Sequence, residues 1–233
     1  MNIRKKPLAE GQFYHIYTKS IASFKIFHGR KDIGRMMQML RYYQLHDRPD
    51  KFSRFVQRNL VKKEGFNKYF HKDLAVGRKF EVQIIAYCMM PTHLHLALKQ
   101  LRKNGISVFM GNILNSYTRY FNTKHKRKGP LWEGRFKNVH IGSDEQMMHL
   151  TRYIHLNPVT ARLVDKPDDW PGSSYREYVA MVSDEDRICD YGHVLDFKGV
   201  NYKEFVSDRI GYQRELALLK ESAKLYTSEV YNG

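Results

Sequence analysis

The stretch at residues 80–100 constrains the fold of this chain more than any other. It begins with "FEVQIIAYCMM", which is almost wholly apolar, is broken by Pro91, and continues as "THLHLALKQ". Short apolar runs separated by a breaker residue are typical of two strands that follow each other in a hairpin. We therefore predict buried strands at 80–90 and 92–100.

The second of these strands carries two histidines among leucines. Because side chains alternate between the faces of a strand, Leu94, Leu96 and Leu98 should share one face, and His93 and His95 the other. Two imidazoles side by side can be polar groups satisfied at a sheet edge. They can equally be half of a metal site whose other ligands come from elsewhere in the chain.

The elements around this hairpin are predicted from apolar spacing. Aromatic and β-branched residues predict strands at 12–20 and 131–141, while apolar residues at helical spacing predict helices at 32–44 and 105–126. With a further helix beginning near residue 144, the order is strand, helix, strand, strand, helix, strand, helix. This order predicts an α+β fold, a sheet with helices on its faces.

The helix near residue 144 has clear boundary signals. Ser143 followed by Gln146 is a capping-box pattern. We expect the helix to end near Leu156, because Asn157 precedes Pro158 and that position disfavours helical backbone.

Two regions are less regular. Residues 46–80 are polar, basic and weakly patterned, and we predict short helical pieces and loop there. The tail after about residue 175 should end in a helix, "YQRELALLKESAKLY". We accordingly divide the chain into a catalytic-type domain at 1–175, with a long 46–80 insertion, and a helical C-terminal extension at 176–233.

Charge points to an anionic partner. The 233 residues have a formal net charge of +16, a pI of about 9.7 and 16 tyrosines. A basic surface interleaved with aromatic rings suits single-stranded nucleic acid, whose bases stack while its backbone lies on Lys and Arg. The alternative is a basic protein whose charge only keeps it in solution.

The cellular compartment is predicted from what the sequence lacks. The two cysteines, Cys88 and Cys189, are far apart and fit neither a disulfide framework nor a metal motif. No apolar stretch follows the basic N-terminus, and no apolar run approaches roughly 18 residues. We expect a cytoplasmic protein without a membrane partner.

A second half for the histidine site is available on the helix after residue 143. Tyr153 and Asn157 are four residues apart and share one helical face. Neutral imidazoles and an amide oxygen can together hold Mg²⁺ or Mn²⁺, and a tyrosine beside them could act as a nucleophile. Each residue alone has an ordinary structural explanation, so only their combination suggests chemistry. Basic residues near these positions are candidates for nucleic-acid binding: Arg119, Lys124, Lys126, Arg127, Lys128, Arg135, Lys137 and Arg152.

Other candidates are weaker. Tyr117 also lies on a predicted helix, but residue 121, four positions on, is Phe, which cannot bind a metal, and Tyr117 falls on the apolar stripe. His155 should point to a different side of the helix from Tyr153. Trp132 and Trp170 could stack on bases, although tryptophan more often packs in a core.

Five motifs resemble a known family. In order they are "MPTHLHL", "SYTRYFN", "GPLWEGRFK", "RYIHLNPV" and "DWPGSSY". Together they are similar to the REP-associated tyrosine transposases, a branch of the single-tyrosine insertion-sequence transposases within the HUH endonucleases. The resemblance covers about residues 10 to 175. The segment 46–80 and the tail after 175 extend beyond the usual pattern.

The resemblance implies a fold, a site and a reaction. The fold would be a ferredoxin-like antiparallel β-sheet flanked by α-helices. His93, His95 and Asn157 would bind Mg or Mn, with asparagine where the classical insertion-sequence branch has glutamine. Tyr153 would attack a single-stranded DNA phosphodiester, beside a hairpin, and form a 5′-phosphotyrosine. The active form could be a monomer or a homodimer.

Two other functions compete with this one. A domesticated, non-catalytic nucleic-acid-binding protein of the same fold would explain the charge and aromatics equally well. A metal-dependent phosphodiesterase for small molecules or RNA could use the histidines without tyrosine, but a net charge of +16 is poorly explained by a small substrate.

Overall fold

A four-stranded antiparallel sheet forms the centre of the computed structural model, which describes residues 7–192, 195 and 201–211. The strand order is β2-β3-β1-β4. Each strand pairs antiparallel with its neighbours. The strand bounds are β1 Phe13–Lys19, β2 Val82–Met90, β3 His93–Gln100 and β4 Lys137–Ile141.

Helices alternate with these strands in the predicted order. The chain runs β1, α1, β2, β3, α5, β4, α6, with three short helices between α1 and β2. With the observed strand order, this is the ferredoxin-like arrangement of β-α-β-β-α-β units, and the predicted α+β class is confirmed. The helix bounds are α1 Arg30–Gln44, α2 Phe52–Phe55, α3 Asn59–Glu64, α4 Phe66–Tyr69, α5 Gly105–Lys124, α6 Asp144–Thr160, α7 Tyr175–Tyr178 and α8 Tyr202–Ser207.

One face of the sheet forms the larger core, against α1 and α5. Leu94, Leu96 and Leu98 are fully buried there and cluster with residues such as Met36 on α1 and Phe109 on α5. The leucine alternation predicted from the sequence is therefore confirmed. Burial of a leucine of this kind is worth about 1.5–3 kcal/mol, so this face supplies much of the stability.

The opposite face of the sheet packs against α6. Its smaller apolar cluster includes Ile85, Cys88 and Met90 from β2 and Ile154 from α6. The pairing of β2 with β3 is shifted between Ile84 and Ala86, which inserts an extra residue at Ile85. Cys88 is paired with His95, so the two histidines of β3 lie on this α6 face.

The region 46–80 consists of short helical pieces, as predicted. Besides α2, α3 and α4 it contains a π-helical turn at Phe70–Leu74. Buried aromatic rings attach the region to α1, for example Phe55 against Tyr42 at 4.7 Å between ring centroids. The insertion is thus part of the larger core.

The segment 172–174, within the "DWPGSSY" motif, lies along the outer edge of β2. Met89 N donates to Gly172 O at 2.7 Å, and Ser174 N donates to Tyr87 O at 3.0 Å. Glycine at 172 favours this close approach, because a Cβ there would lie 3.0 Å from Trp170 Nε1 and 3.1 Å from Met89 O, tighter than ordinary contacts. The motif therefore caps one edge of the sheet.

Two predicted boundaries were wrong. The strand expected at 131–141 is shorter, because residues 131–136 form an irregular segment with only an isolated bridge between Ser20 and Trp132. The helix expected to end near Leu156 continues to Thr160. Pro158 is tolerated in the last turn, because it removes only one backbone hydrogen bond there. The predicted final helix at 212–226 lies outside the described residues.

Candidate functional site

The two histidines of β3 lie in the groove between the sheet and α6. His95 is only 7% exposed, His93 is half-buried, and their ring centroids are 5.0 Å apart at a steep angle. They occupy one face because alternation along β3 places them there. The leucines between them face the larger core.

Helix α6 places Tyr153 against His95. Ser143 fixes the start of the helix by accepting a hydrogen bond from Gln146 N at 3.2 Å. Two and a half turns later, the ring of Tyr153 lies 5.7 Å from that of His95, nearly perpendicular to it. Tyr153 is 43% exposed, which is unusual for a large aromatic side chain packed on a sheet.

Asn157 lies one helical turn beyond Tyr153 and is oriented by the extension of α6 through Pro158. Its Nδ2 atom is buried and has no hydrogen-bond partner among the described residues. A half-turn about the side-chain amide exchanges this nitrogen with the oxygen, so either atom can occupy the buried position. The buried nitrogen therefore lacks a partner, although the amide also interacts with the Tyr153 hydroxyl. An amide oxygen is a suitable ligand for a divalent ion.

Two residues of β1 complete the cluster, and sequence reasoning missed both. His15 Nε2 lies 3.0 Å from His95 Nδ1, with the two rings stacked. Tyr17 is paired with His95 across the strands and stacks on its ring at 6.1 Å between centroids. The signal was available, since alternation in "QFYHIYTKS" already places His15 and Tyr17 on one face.

Burial keeps the three imidazoles neutral at pH 7. It lowers the pKa of His15 and that of His93 to about 4, the latter with help from Lys19. It lowers the pKa of His95 to about 3, with smaller contributions from His93, His15 and Lys19. A neutral imidazole has the lone pair that metal binding requires.

The phenol of Tyr153 is protonated at neutral pH. Burial raises its pKa above the usual value, and the Asn157 amide opposes this shift without cancelling it. As a nucleophile, Tyr153 therefore needs either loss of the proton during attack or stabilisation of the charge that develops on the phosphate.

The donor set fits a hard divalent ion with an incomplete shell. Within the described ranges, no group of three or more His, Cys, Asp or Glu side chains is arranged to hold a metal. The predicted ligands are the imidazoles of His93 and His95 and the amide oxygen of Asn157. The remaining coordination positions of the ion would be filled by phosphate oxygens. That these three residues bind a metal stays a prediction.

A basic cleft adjoins the cluster. Tyr17, Lys19, Arg135 and Lys137 line a space of about 290 Å³, with Glu133 as its acidic member. Lys19 was not among the predicted nucleic-acid-binding residues, although the strand pairing sets it directly opposite His93. Of the predicted basic residues, Arg135 and Lys137 therefore line the cleft that shares Tyr17 with the histidine cluster.

The other predicted basic residues lie elsewhere. Arg119 and Lys124 border a groove lined by α1, α2 and α5, on the other side of the sheet, where Lys124 pairs with the buried carboxylate of Asp32 at 2.5 Å. Arg127 closes the loop after α5 by donating to Pro130 O. The loop residues Lys126 and Lys128 are exposed.

Arg152, which was predicted to bind nucleic acid, makes structural contacts within α6 and with α8. Its guanidinium donates to His149 Nδ1 at 2.7 Å and lies 4.2 Å from the Phe205 ring centroid, on α8. These contacts attach the C-terminal segment to α6. Arg152 is therefore engaged in packing, away from Tyr153.

His155 is fully buried on the side of α6 away from Tyr153, as predicted. Its Nδ1 lies 2.6 Å from the Tyr202 hydroxyl, and its Nε2 lies 2.8 Å from Ser174 Oγ, both at hydrogen-bond distance. Both nitrogens are satisfied within the protein, so this residue has a structural role.

The remaining aromatic candidates belong to the interior. Tyr117 is fully buried, and its hydroxyl donates to Ile26 O at 2.7 Å, while burial raises its pKa far above the usual value. Trp132 donates to Leu114 O, and Trp170 donates to Met89 O. None of the three is presented for catalysis or base stacking.

In the described part of the chain, no helix combines the length and the apolar character needed to cross a bilayer. Both cysteines are buried and unpaired.

Comparisons by sequence find similarity to transposases. Residues 54–157, which run from α2 to Asn157, match the family described as "Transposase IS200 like". A putative REP-associated tyrosine transposase of Haemophilus influenzae is 29% identical in an alignment of 119 residues that covers 46% of this chain and 67% of that protein. A solved structure of a REP-associated tyrosine transposase bound to a REP hairpin is 18% identical, with a TM-score of 0.46, and the match covers 84% of this chain and 97% of that one.

Proposed function

From the similarity of residues 54–157 to the IS200-like transposases, we propose that the chain cuts and rejoins single-stranded DNA with Tyr153 as its nucleophile. One observation carries the proposal. The half-exposed side chain of Tyr153 lies against the neutral imidazole of His95, and Tyr17, which stacks on the same imidazole, also lines a cleft with lysine and arginine.

The reaction follows from the chemistry of a phenol and a phosphodiester. The Tyr153 oxygen attacks phosphorus and forms a phosphotyrosine, while the bond from phosphorus to the 3′ oxygen breaks. The phenol proton passes to water, and the departing 3′ oxygen takes up a proton and leaves as a hydroxyl. Since a phosphodiester replaces a phosphodiester, a second 3′-hydroxyl can reverse the step and join strands without ATP.

His93, His95 and Asn157 would hold Mg²⁺ or Mn²⁺ beside the scissile phosphate. When bound there, the ion would polarise the phosphate and neutralise the charge that develops during attack. The unsatisfied amide nitrogen of Asn157, which a half-turn exchanges for the oxygen, and the neutral state of both imidazoles support this assignment.

The basic cleft would position the DNA backbone. Lys19, Arg135 and Lys137 can neutralise phosphates on either side of the scissile one. Tyr17, next to His95, offers a ring on which an unpaired base could stack. The motif resemblance implies a single strand beside a hairpin as the natural substrate.

A covalent-adduct assay tests the proposal. The protein would be incubated with Mn²⁺ and single-stranded oligonucleotides from the flanks of its own gene, and separated on a denaturing gel. We expect a protein–DNA adduct that is lost in Tyr153→Phe. The matched control Tyr117→Phe removes a buried hydroxyl and should keep the adduct.

Two results would contradict the proposal. An adduct that persists in Tyr153→Phe would assign the nucleophile to another residue. Salt-dependent DNA binding without any adduct, independent of metal and of Tyr153, would instead indicate a non-catalytic nucleic-acid-binding protein.

A further inference from the structure

His15 is the residue of the cluster that neither the sequence motifs nor the proposed reaction uses. It lies on β1, one strand over from the histidine motif, and diagonally opposite His95 in the pairing register. Its Nε2 atom is 3.0 Å from His95 Nδ1, and the ring centroids are 5.2 Å apart at 19°. This contact is a ring-to-ring hydrogen bond.

The contact restricts the tautomers of both rings. A nitrogen–nitrogen hydrogen bond needs one nitrogen with a proton and one with a lone pair. If His15 donates, the proton of His95 must reside on Nε2, and that nitrogen cannot bind a metal. If His95 Nδ1–H donates to His15, then His95 Nε2 keeps its lone pair.

The second motif histidine shows the same pattern. His93 Nδ1 lies 3.0 Å from Thr92 Oγ1, which can accept its proton. The Nδ1 atoms of both histidines therefore have partners in the protein, and both Nε2 atoms remain for a ligand. Metal-binding histidines commonly donate their other ring N–H in this way, which fixes the ring and makes it a better ligand.

We propose that His15 is a positioning residue that accepts a hydrogen bond from His95 Nδ1–H and thereby holds His95 Nε2 ready for the divalent ion. The inference rests on the proposed function. In this role His15 is not itself a ligand of the ion. It acts through the orientation and tautomer of His95.

Two substitutions separate this role from simple packing. His15→Phe keeps a ring of similar size but has no acceptor, and His15→Gln keeps a carbonyl acceptor on a flexible chain. The matched control is His140→Phe, since His140 is a histidine on the neighbouring strand β4 that is exposed and bonded to Gln12. Thermal unfolding of each variant would report whether it is folded.

The readout is Mn²⁺ affinity without DNA, measured from the free-ion signal in electron paramagnetic resonance. We expect His15→Phe to weaken binding by about tenfold to a hundredfold, His15→Gln to recover most of the loss, and His140→Phe to bind as the unaltered protein does. Unchanged affinity in His15→Phe, or equal loss in His15→Gln, would overturn the proposal.

A measurement on the unaltered protein keeps the test valid if His15→Phe does not fold. Long-range proton–nitrogen spectra of the Mg²⁺-saturated protein should show His95 protonated at Nδ1, and a proton at Nε2 would overturn the role of His15. Failure of the proposed function is distinguishable, because His95→Ala would then bind Mn²⁺ normally. If His95→Ala loses Mn²⁺ and His15→Phe does not, only the role of His15 is wrong.

Discussion

On the face of the sheet that meets α1 and α5, strand β3 contributes Leu94, Leu96 and Leu98. On the face that meets α6, the same strand contributes His93 and His95. The leucines are sealed in a core of aliphatic and aromatic side chains. The histidines share their groove with His15, Tyr17 and Tyr153, and hydrogen-bond to neighbours rather than only packing against them.

Alternate positions along β3 therefore have different roles: one set of side chains packs in the core, and the other set lines the groove. A slip of one residue in the register would turn every leucine into the groove and every histidine into the core. The large apolar face prevents that slip. Stability on one face therefore fixes the geometry of the polar groups on the other.

The largest expected effect is on the rate of adduct formation, when a histidine on the α6 face of the sheet is removed. His95→Ala should slow single-turnover adduct formation by on the order of a hundredfold or more, because it removes a ligand from the proposed ion, whose charge stabilisation is worth several kcal/mol. Adduct yield over time at saturating Mn²⁺ measures this. A rate close to that of the unaltered protein would show that the groove does not depend on this imidazole.

The neighbouring residue on the apolar face should behave in the opposite way. Leu96→Ala is expected to lower the free energy of unfolding by about 2–5 kcal/mol, through lost burial and a cavity. Urea unfolding measures the loss. Leu60→Ala is the control, since Leu60 is 56% exposed and its truncation should change stability by less than about 0.5 kcal/mol. Similar losses in the two variants would contradict the assignment of this face.

The buried imidazole on the far side of α6 predicts a pH dependence of stability. Burial lowers the pKa of His155 from 6.5 to about 3. Between these values the unfolded chain binds the extra proton and the folded chain does not, so stability falls as the pH drops below about 6.5. The contribution of His155 is about 1.4 kcal/mol per pH unit.

Urea unfolding at several pH values between 4.5 and 7 would test this with His155→Gln. The variant should be less stable at pH 7, because the bonds to Tyr202 and Ser174 are disturbed. Its stability should also depend less on pH by that amount. An unchanged slope would assign the acid sensitivity to other groups.

The smallest expected effect is a change in DNA affinity on altering the basic cleft. Lys137→Ala should weaken binding to single-stranded DNA and reduce the slope of log affinity against log salt by about 0.7, the value for one lost phosphate contact. Fluorescence anisotropy at several salt concentrations measures the slope. Lys62→Ala, an exposed lysine on α3, is the control and should leave the slope unchanged. Equal effects would mean that binding follows total charge rather than this cleft.

Most of the sheet was predictable because its strands are short apolar runs with clear breakers. The hairpin around Pro91 and the alternation in β3 needed no tertiary information. The end of α6 was not predictable in this way, because the preference of the residue before a proline is weak against packing of Leu156 and Val159 in the interior. That extension matters, since it keeps Asn157 in helical register with Tyr153.

The site was predicted in part. His93, His95, Tyr153 and Asn157 follow from motif and spacing, and the structure brings Tyr153 to His95. Their roles stay predictions. His15 and Lys19 were missed because their place in the site depends on which strand pairs with β3, and no local pattern states that β1 lies between β3 and β4. The net positive charge likewise could not show that Lys124 is engaged with Asp32.

The capping of β2 by residues 172–174 has a consequence for assembly. A sheet edge whose backbone groups are already paired cannot accept a strand from another molecule. In the described part of the chain, the other edge belongs to β4, five residues long, which pairs only with β1. This sheet can therefore be extended in one direction only, and a second chain that joined it would lie next to Lys137 rather than beside the hairpin.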